Sequence, residues 1–296
     1  MTTTKSETAF VLSGGASLGA IQVGMLRALY EREIAPDLIV ATSVGALNGA
    51  FIASRPQTPE TADELAAVWR GLGRGQIFPL NPLSGFMGFF GARDHLVSDR
   101  GLRRLLQRHL EFGRLERAPV PLHVIATEVL RGRELRLSRG DAVEAVMASA
   151  AIPGVFPAVC WKGRELIDGG VSNNTPIAHA IELGAETVYV LPTGSACDLP
   201  EAPRGAVAML LHAMNLLVTR RLVVEIELLR DKARLIVLPP PCPLRVQPVD
   251  FGHADELIRR GLEDGREHLD AVETGDDLVP LSITTHERGR EPLAVA

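Results

Sequence analysis

The stretch Pro36-Asp37-Leu38-Ile39-Val40-Ala41-Thr42-Ser43-Val44-Gly45-Ala46-Leu47-Asn48-Gly49-Ala50 decides the fold. Leu38, Ile39 and Val40 are a short apolar run of strand type, small residues follow, and a helix begins just after Ser43. A serine between a buried strand and a helix is the layout of a nucleophile elbow, in which a tight turn lifts Oγ clear of the backbone. The helix that follows aims its first N–H groups at the same spot. The elbow pattern has glycine where this chain has Ala41, a position kept small because strand and helix nearly touch there. The same layout also suits an ordinary helix N-cap. Ser43 therefore needs partners from elsewhere in the chain before it means anything chemically.

Outward from that stretch, the pattern is strand, loop, helix, repeated. Thr8 to Leu12 reads as a first buried strand, and the loop Ser13-Gly14-Gly15-Ala16-Ser17-Leu18-Gly19 leads into a helix reaching about Glu33. This order predicts parallel pairing and a layered α/β domain. A helix follows from Thr58 to Leu72, and another from Ser98/Asp99 to Leu110. Between them, Gly73 to Leu96 is rich in Gly, Pro and Phe, with Phe78, Phe86, Met87, Phe89 and Phe90 close together. Two readings suit so long a loop: a cap packed on the core, or a lid or apolar lip touching lipid. Further strands are expected at Leu122–Thr127, Glu134–Leu137, Glu165–Ile167, Thr187–Leu191 and Leu235–Leu238. Helices are expected at Ala142–Ala151, Thr175–Leu183, Arg204 to about Lys232 and Ala254–Ala271. No repeat or linker splits the chain, so a single domain over residues 8–272 is expected, with a partly disordered tail at 273–296.

Composition narrows the class. The chain has 296 residues, 46% hydrophobic and 23% charged, which supports a sizeable core. A net charge of -5 gives no basic footprint for nucleic acid. Met1 to Glu7 is polar, and the longest mostly apolar run, Gly205 to Val218, contains His212 and Asn215 and is too short to span a bilayer. Three scattered cysteines, Cys160, Cys197 and Cys242, show no metal-ligand spacing, and their odd number argues against a disulfide framework. A reducing cytoplasm is the expected setting. Lysine supplies only three of the 31 basic residues, which suggests a GC-rich, bacterial genome.

Three short segments carry chemistry. The loop Gly14-Gly15-Ala16-Ser17-Leu18-Gly19 gathers backbone N–H groups at a helix start. It lacks the Gly-Lys-Ser/Thr ending of a phosphate loop and the spacing of a dinucleotide fingerprint. An oxyanion hole needs only such N–H donors, and a tight turn without a ligand is the bland alternative. Ser43 also needs a proton acceptor. Of eight histidines none sits in a Gly-rich loop; His179, one helix beyond Asp168, is the best placed of a poor set. Asp168-Gly169-Gly170 follows a short strand, and its glycines clear space beside the carboxylate, although an Asp-Gly pair often marks nothing more than a turn.

Together these segments resemble the patatin-like phospholipases. The resemblance runs over residues 8–192: Val11-Leu12-Ser13-Gly14-Gly15 with Gly19 and Gly24; Pro36 to Asn48; Ala148-Ser149-Ala150-Ala151-Ile152-Pro153-Gly154-Val155-Phe156-Pro157; and Asp168-Gly169-Gly170-Val171 ahead of Asn174-x-Pro176. The resemblance implies a three-layer α/β/α fold with a mostly parallel sheet, and a serine lipid acyl hydrolase without metal or cofactor. By position, Ser43 resembles the family's nucleophile and Asp168 its base. The N–H groups of Gly14, Gly15 and Ala16 resemble its oxyanion hole, and Ala41, Gly45, Gly19, Gly169 and Gly170 its supports. The implied partner is a lipid acyl ester, met by transient contact with a membrane surface; no oligomeric state is implied. Leu18 stands where the family usually has Arg or Lys, which argues against a strongly anionic substrate. A catalytically weak lipid-binding module, or an acyltransferase or thioesterase, is the competing reading.

Overall fold

A computed structural model describes residues 8–77, 95–194, 206–242, 244, 246, 248–275 and 279–280. Phe78, Phe86, Met87, Phe89 and Phe90, and most of the expected tail, lie outside those residues. Eight strands form one sheet: β1 (Thr8–Leu12), β2 (Leu38–Thr42), β3 (Leu122–Glu128), β4 (Arg133–Leu137), β5 (Val159–Trp161), β6 (Arg164–Asp168), β7 (Thr187–Leu191) and β8 (Arg234–Val237). The order is β5-β6-β3-β2-β1-β7-β8, with β4 also paired to β3. The run from β3 through β2, β1 and β7 to β8 is parallel; β4, β5 and β6 add antiparallel pairs at one end.

The helices are α1 (Ala20–Tyr30), α2 (Val44–Ile52), α3 (Pro59–Arg70), α4 (Arg74–Ile77), α5 (Arg100–His109), α6 (Ala142–Ser149), α7 (Ile177–Glu182), α8 (Ala206–Leu229) and α9 (Ala254–Thr274). Alternation along the central strands divides the core in two. Phe10, Leu12, Ile39 and Ala41 face a layer built from α1, α2, α3, α5, α6 and α9. Ala9, Val11, Leu38 and Val40 face a second layer with Ile177 and Ala180 of α7 and Leu222 and Ile226 of α8. Strands buried on both faces read as unbroken apolar runs, which is why β1 and β2 are so plain in the sequence. The three-layer α/β/α architecture expected from the sequence is present.

The C-terminal third, which carries no motif, closes the first layer. At Gly24 of α1 an added Cβ would sit 2.1 Å from the Ile258 carbonyl oxygen, and at Gly261 of α9 2.4 Å from that of Ile21. The two helices thus cross at backbone contact, with glycine on each side.

Four departures from expectation have physical reasons. β5 was not legible: three residues are too few to show alternation, and the strand is held as the partner of β6 across the turn Lys162-Gly163, where both residues have positive φ (49° and 78°). The stretch after Gly73 opens with the one-turn helix α4. α9 runs to Thr274, three residues past the expected Ala271, and Val279 packs on the second core. Cys242 is disulfide-bonded while Cys160 is a free, exposed thiol. An odd count leaves room for one pair, so the cytoplasmic expectation loses its support in the cysteine count. No described helix is long and apolar enough to cross a membrane.

Candidate active site

The turn at Ser43 is strained. Its φ of 54° and ψ of -124° leave the regions that L-residues favour, and α2 begins at the next residue. Such strain persists where the surroundings over-determine it. Ser43 N–H donates to Ser149 Oγ at 2.8 Å, and Thr42 Oγ1 donates to the Asn173 carbonyl at 2.9 Å. Gly45 lets α2 approach β1: an added Cβ would lie 2.3 Å from the Leu12 carbonyl oxygen. The methyl of Ala41 fits because Gly49 faces it without one; a Cβ there would come within 3.3 Å of the Ala41 Cβ.

Asp168 arrives by sharing an edge. Residues 124–128 of β3 pair with β4, so β4 occupies one edge of that strand. β2 uses the other edge through Thr42↔Ile125, and β6 takes it over from Ala126↔Asp168. The last residue of β6 therefore stands in line with the end of β2. Gly169 makes the handover possible, since a Cβ there would lie 2.2 Å from the Ile125 carbonyl oxygen. Ser43 Oγ consequently donates to Asp168 Oδ2 at 2.6 Å across 125 residues of sequence.

The carboxylate is buried and accepts a second bond, from Gly170 N–H to Oδ1 at 2.7 Å. Burial pushes its pKa up from 3.8 to about 6, against the lowering pull of the bonds from Ser43 and Gly170. His179 is elsewhere. It bonds to Glu134 and also faces Glu182 and Arg136, and the Glu134 bond, with that residue's charge, raises its pKa against the effect of burial. The structure thus brings Asp168, not His179, to Ser43.

The Gly-rich loop follows β1 and folds over Ser43. Asn174 Nδ2 donates to the Gly14 carbonyl at 3.3 Å, Thr193 Oγ1 donates to the same oxygen at 2.5 Å, and Gly14 N–H donates to the Asn174 carbonyl at 3.2 Å. That last bond corrects the expected trio of donors, because the Gly14 N–H is already committed. Gly15 and Ala16 remain, with no bond from either N–H to the described residues. Ala16 has a φ of 52°, so the residue facing Ser43 across the site is strained too. Gly15 and Gly19 are forced by contact: added Cβ atoms would lie 2.0 Å from Thr193 Oγ1 and 2.4 Å from Val44 Cγ2. Thr193, Asn174 and Ser149 are supports that sequence reasoning gave no role. The small-residue run around Ser149 and Asn174-x-Pro176 were their only local signals.

Two chambers meet at Ala16, Ser43 and Ile152. One is an apolar channel of about 80 Å³ between α2, α3 and α5, lined by Leu47, Leu65, Val68, Leu102, Leu105 and Leu106 among others. The other, about 190 Å³, is a mouth lined by Leu18, Asn174, Thr175, Thr193, Met214 and Asn215. Asp168 is its one charged lining residue among those described. Among the described residues no cluster of three His, Cys, Asp or Glu is arranged to hold a metal.

The sequence matches the family model described as Patatin-like phospholipase over residues 10–181. The chain belongs to the patatin-like phospholipase family. Patatin-like phospholipase domain-containing protein 7 of Mus musculus is 27% identical over 291 residues, covering 88% of this chain and 20% of its own length. Lysophospholipase nte1 of Aspergillus terreus is 26% identical over 306 residues, covering 94% and 19%. The chain thus spans about a fifth of the length of these curated relatives. Neither relative is bacterial, so they lend no support to the origin read from the lysine count. The solved structure of human GIVD cytosolic phospholipase A2 aligns over 91% of this chain and 59% of that one, with a TM-score of 0.49 and 9% identity.

Proposed function

We propose that this patatin-like chain is a serine lipid acyl hydrolase that works through a Ser43–Asp168 dyad and a covalent acyl-enzyme. The observation that carries it is the 2.6 Å bond from Ser43 Oγ to a buried carboxylate, made where an apolar channel meets the loop whose Gly15 and Ala16 N–H groups make no bond to the described residues. The acyl chain lies in the channel and the alcohol portion in the mouth. Asp168 takes the Ser43 proton as Oγ attacks the acyl carbon. The oxyanion receives the Gly15 and Ala16 N–H groups, a contribution of about 3–4 kcal/mol per donor in comparable sites. Asp168 returns the proton to the departing alkoxide. Water then gives a proton to Asp168 as it attacks the acyl carbon, and Asp168 passes that proton to the departing Ser43 Oγ, which releases the fatty acid and restores the dyad.

The neighbourhood supplies what aspartate lacks as a base. A carboxylate of ordinary pKa is a feeble acceptor, and burial lifts this one towards neutrality. The mouth, uncharged apart from Asp168 among its described lining, favours an uncharged head group over a phosphate. Leu18 in place of a basic residue points the same way. Access from a lipid surface is supported by exposed Val171, Met209, Met214 and Leu217 beside the mouth and along α8.

The test is a fluorophosphonate probe followed by product analysis. Covalent labelling at Ser43 and release of free fatty acid from a monoacylglycerol are expected. An unlabelled Ser43 leaves a lipid-binding module, and acyl transfer to added alcohols in place of hydrolysis makes the protein a transferase.

A further inference from the structure

We propose that His109 and Phe51 form the floor of the acyl channel and set the longest acyl chain accepted in full, at about ten carbons. The inference rests on the acyl-hydrolase reading above. Val44, Leu47, Asn48 and Phe51 of α2 all line the channel, one face of the helix at helical spacing. α3 contributes Leu65, Val68 and Trp69 in the same spacing, with Leu72 just past its end, so both helices run lengthwise along it. Ser43 caps α2, so depth is read along that helix axis. At a rise of 1.5 Å per residue, Phe51 lies about 12 Å from Ser43.

There the channel ends in a braced pair of rings. The His109 imidazole lies 6.2 Å from the Phe51 ring, centroid to centroid. The Arg55 guanidinium sits 3.7 Å from the Phe51 centroid, and its Nη2 donates to the His109 carbonyl at 3.2 Å. Burial, with Arg108 and Arg55 nearby, lowers the His109 pKa. An outer groove of about 860 Å³, flanked by Arg100, Arg104 and Arg108, lies against the channel and shares Val68, Leu72, Ile77, Leu105 and His109 with it. His109 is therefore one of the side chains that separate an apolar channel from a cationic groove, and the one that pairs with the Phe51 ring. An extended chain advances about 1.2 Å per bond, as an extended backbone does. Some ten carbons thus reach the floor, and a longer chain must leave its end outside or displace the ring.

The experiment measures kcat/KM for p-nitrophenyl butanoate, octanoate, decanoate, dodecanoate and hexadecanoate, with fluorophosphonate labelling in parallel. The wild-type profile is expected to rise to decanoate and fall about tenfold by hexadecanoate. His109→Ala is expected to raise the hexadecanoate-to-octanoate ratio about tenfold. Leu47→Trp, which plugs the channel one turn from Ser43, is expected to move the fall below octanoate. An unchanged ratio in His109→Ala, or a Leu47→Trp profile like wild type, overturns the floor while labelled Ser43 leaves the hydrolase reading intact. Loss of labelling together with hydrolysis of no ester in the wild type overturns both.

Discussion

The two chambers that meet at Ser43 are built by opposite rules. The channel is walled by side chains on three regular helices, almost all of them apolar. The mouth is walled by the Gly-rich loop, the turns around Ile152, Asp168 and Asn174, and one face of α8, and it adds hydroxyls and amides to an apolar lining. Regular helices bury side chains and hide their backbone polar groups, so a space between them is dry. Loops keep N–H groups unpaired and available, so a space beside them offers donors. One ester bond placed across the junction has its chain and its carbonyl in the environments each prefers. The difference teaches why Ser43, the proposed nucleophile, sits on a turn: from the junction of strand and helix its side chain faces both chambers.

The comparison is broken most completely at the junction itself. Ser43→Ala is expected to abolish ester hydrolysis, by about a thousandfold or more, with the melting temperature unchanged. Asp168→Asn is expected to cost a similar factor. With Asp168 near pKa 6, its acceptor form is lost as pH falls through about 6, so wild-type kcat/KM should show an acid limb centred there. The folded value is the higher one, so ionisation costs the fold stability above about pH 6. Asp168→Asn at pH 8 should therefore not lower the melting temperature. A limb near pH 4 would place the acceptor in a wetter site than this one.

A smaller effect sharpens the mouth. Leu18→Arg adds a cation beside the loop, and is expected to raise kcat/KM on a lysophospholipid relative to a monoacylglycerol by about tenfold, measured as the ratio of the two. The wall between the chambers comes next. Ala16→Gly relieves a positive φ and should stabilise the protein by up to about 1 kcal/mol in chemical denaturation, while loosening the donor loop and lowering kcat several-fold. The smallest effect belongs to His179→Gln. With the ring held by Glu134 away from Ser43, ester hydrolysis should stay within about twofold of wild type.

Much of this was legible in the residues. Leu38 to Val40 and Ala9 to Leu12 are apolar without a break because both faces of their strands are buried, and Gly14-Gly15 announces a loop that must run close to other backbone. Channel residues such as Leu65, Leu102 and Leu106 read only as helix core, because a cavity wall and a packed face have the same periodicity. The loss of Gly14 as a donor was hidden as well, since its N–H bonds to Asn174, 160 residues away.

The sequence by itself determined the elbow, the donor loop and the Asp-Gly-Gly turn, because each is a local conformation written in small residues. Their meeting was decided by tertiary structure. β6 displaces β2 from the edge of β3 at Ala126, and that handover alone carries Asp168 to Ser43. Burial there, which no local pattern encodes, then raises the carboxylate towards neutrality.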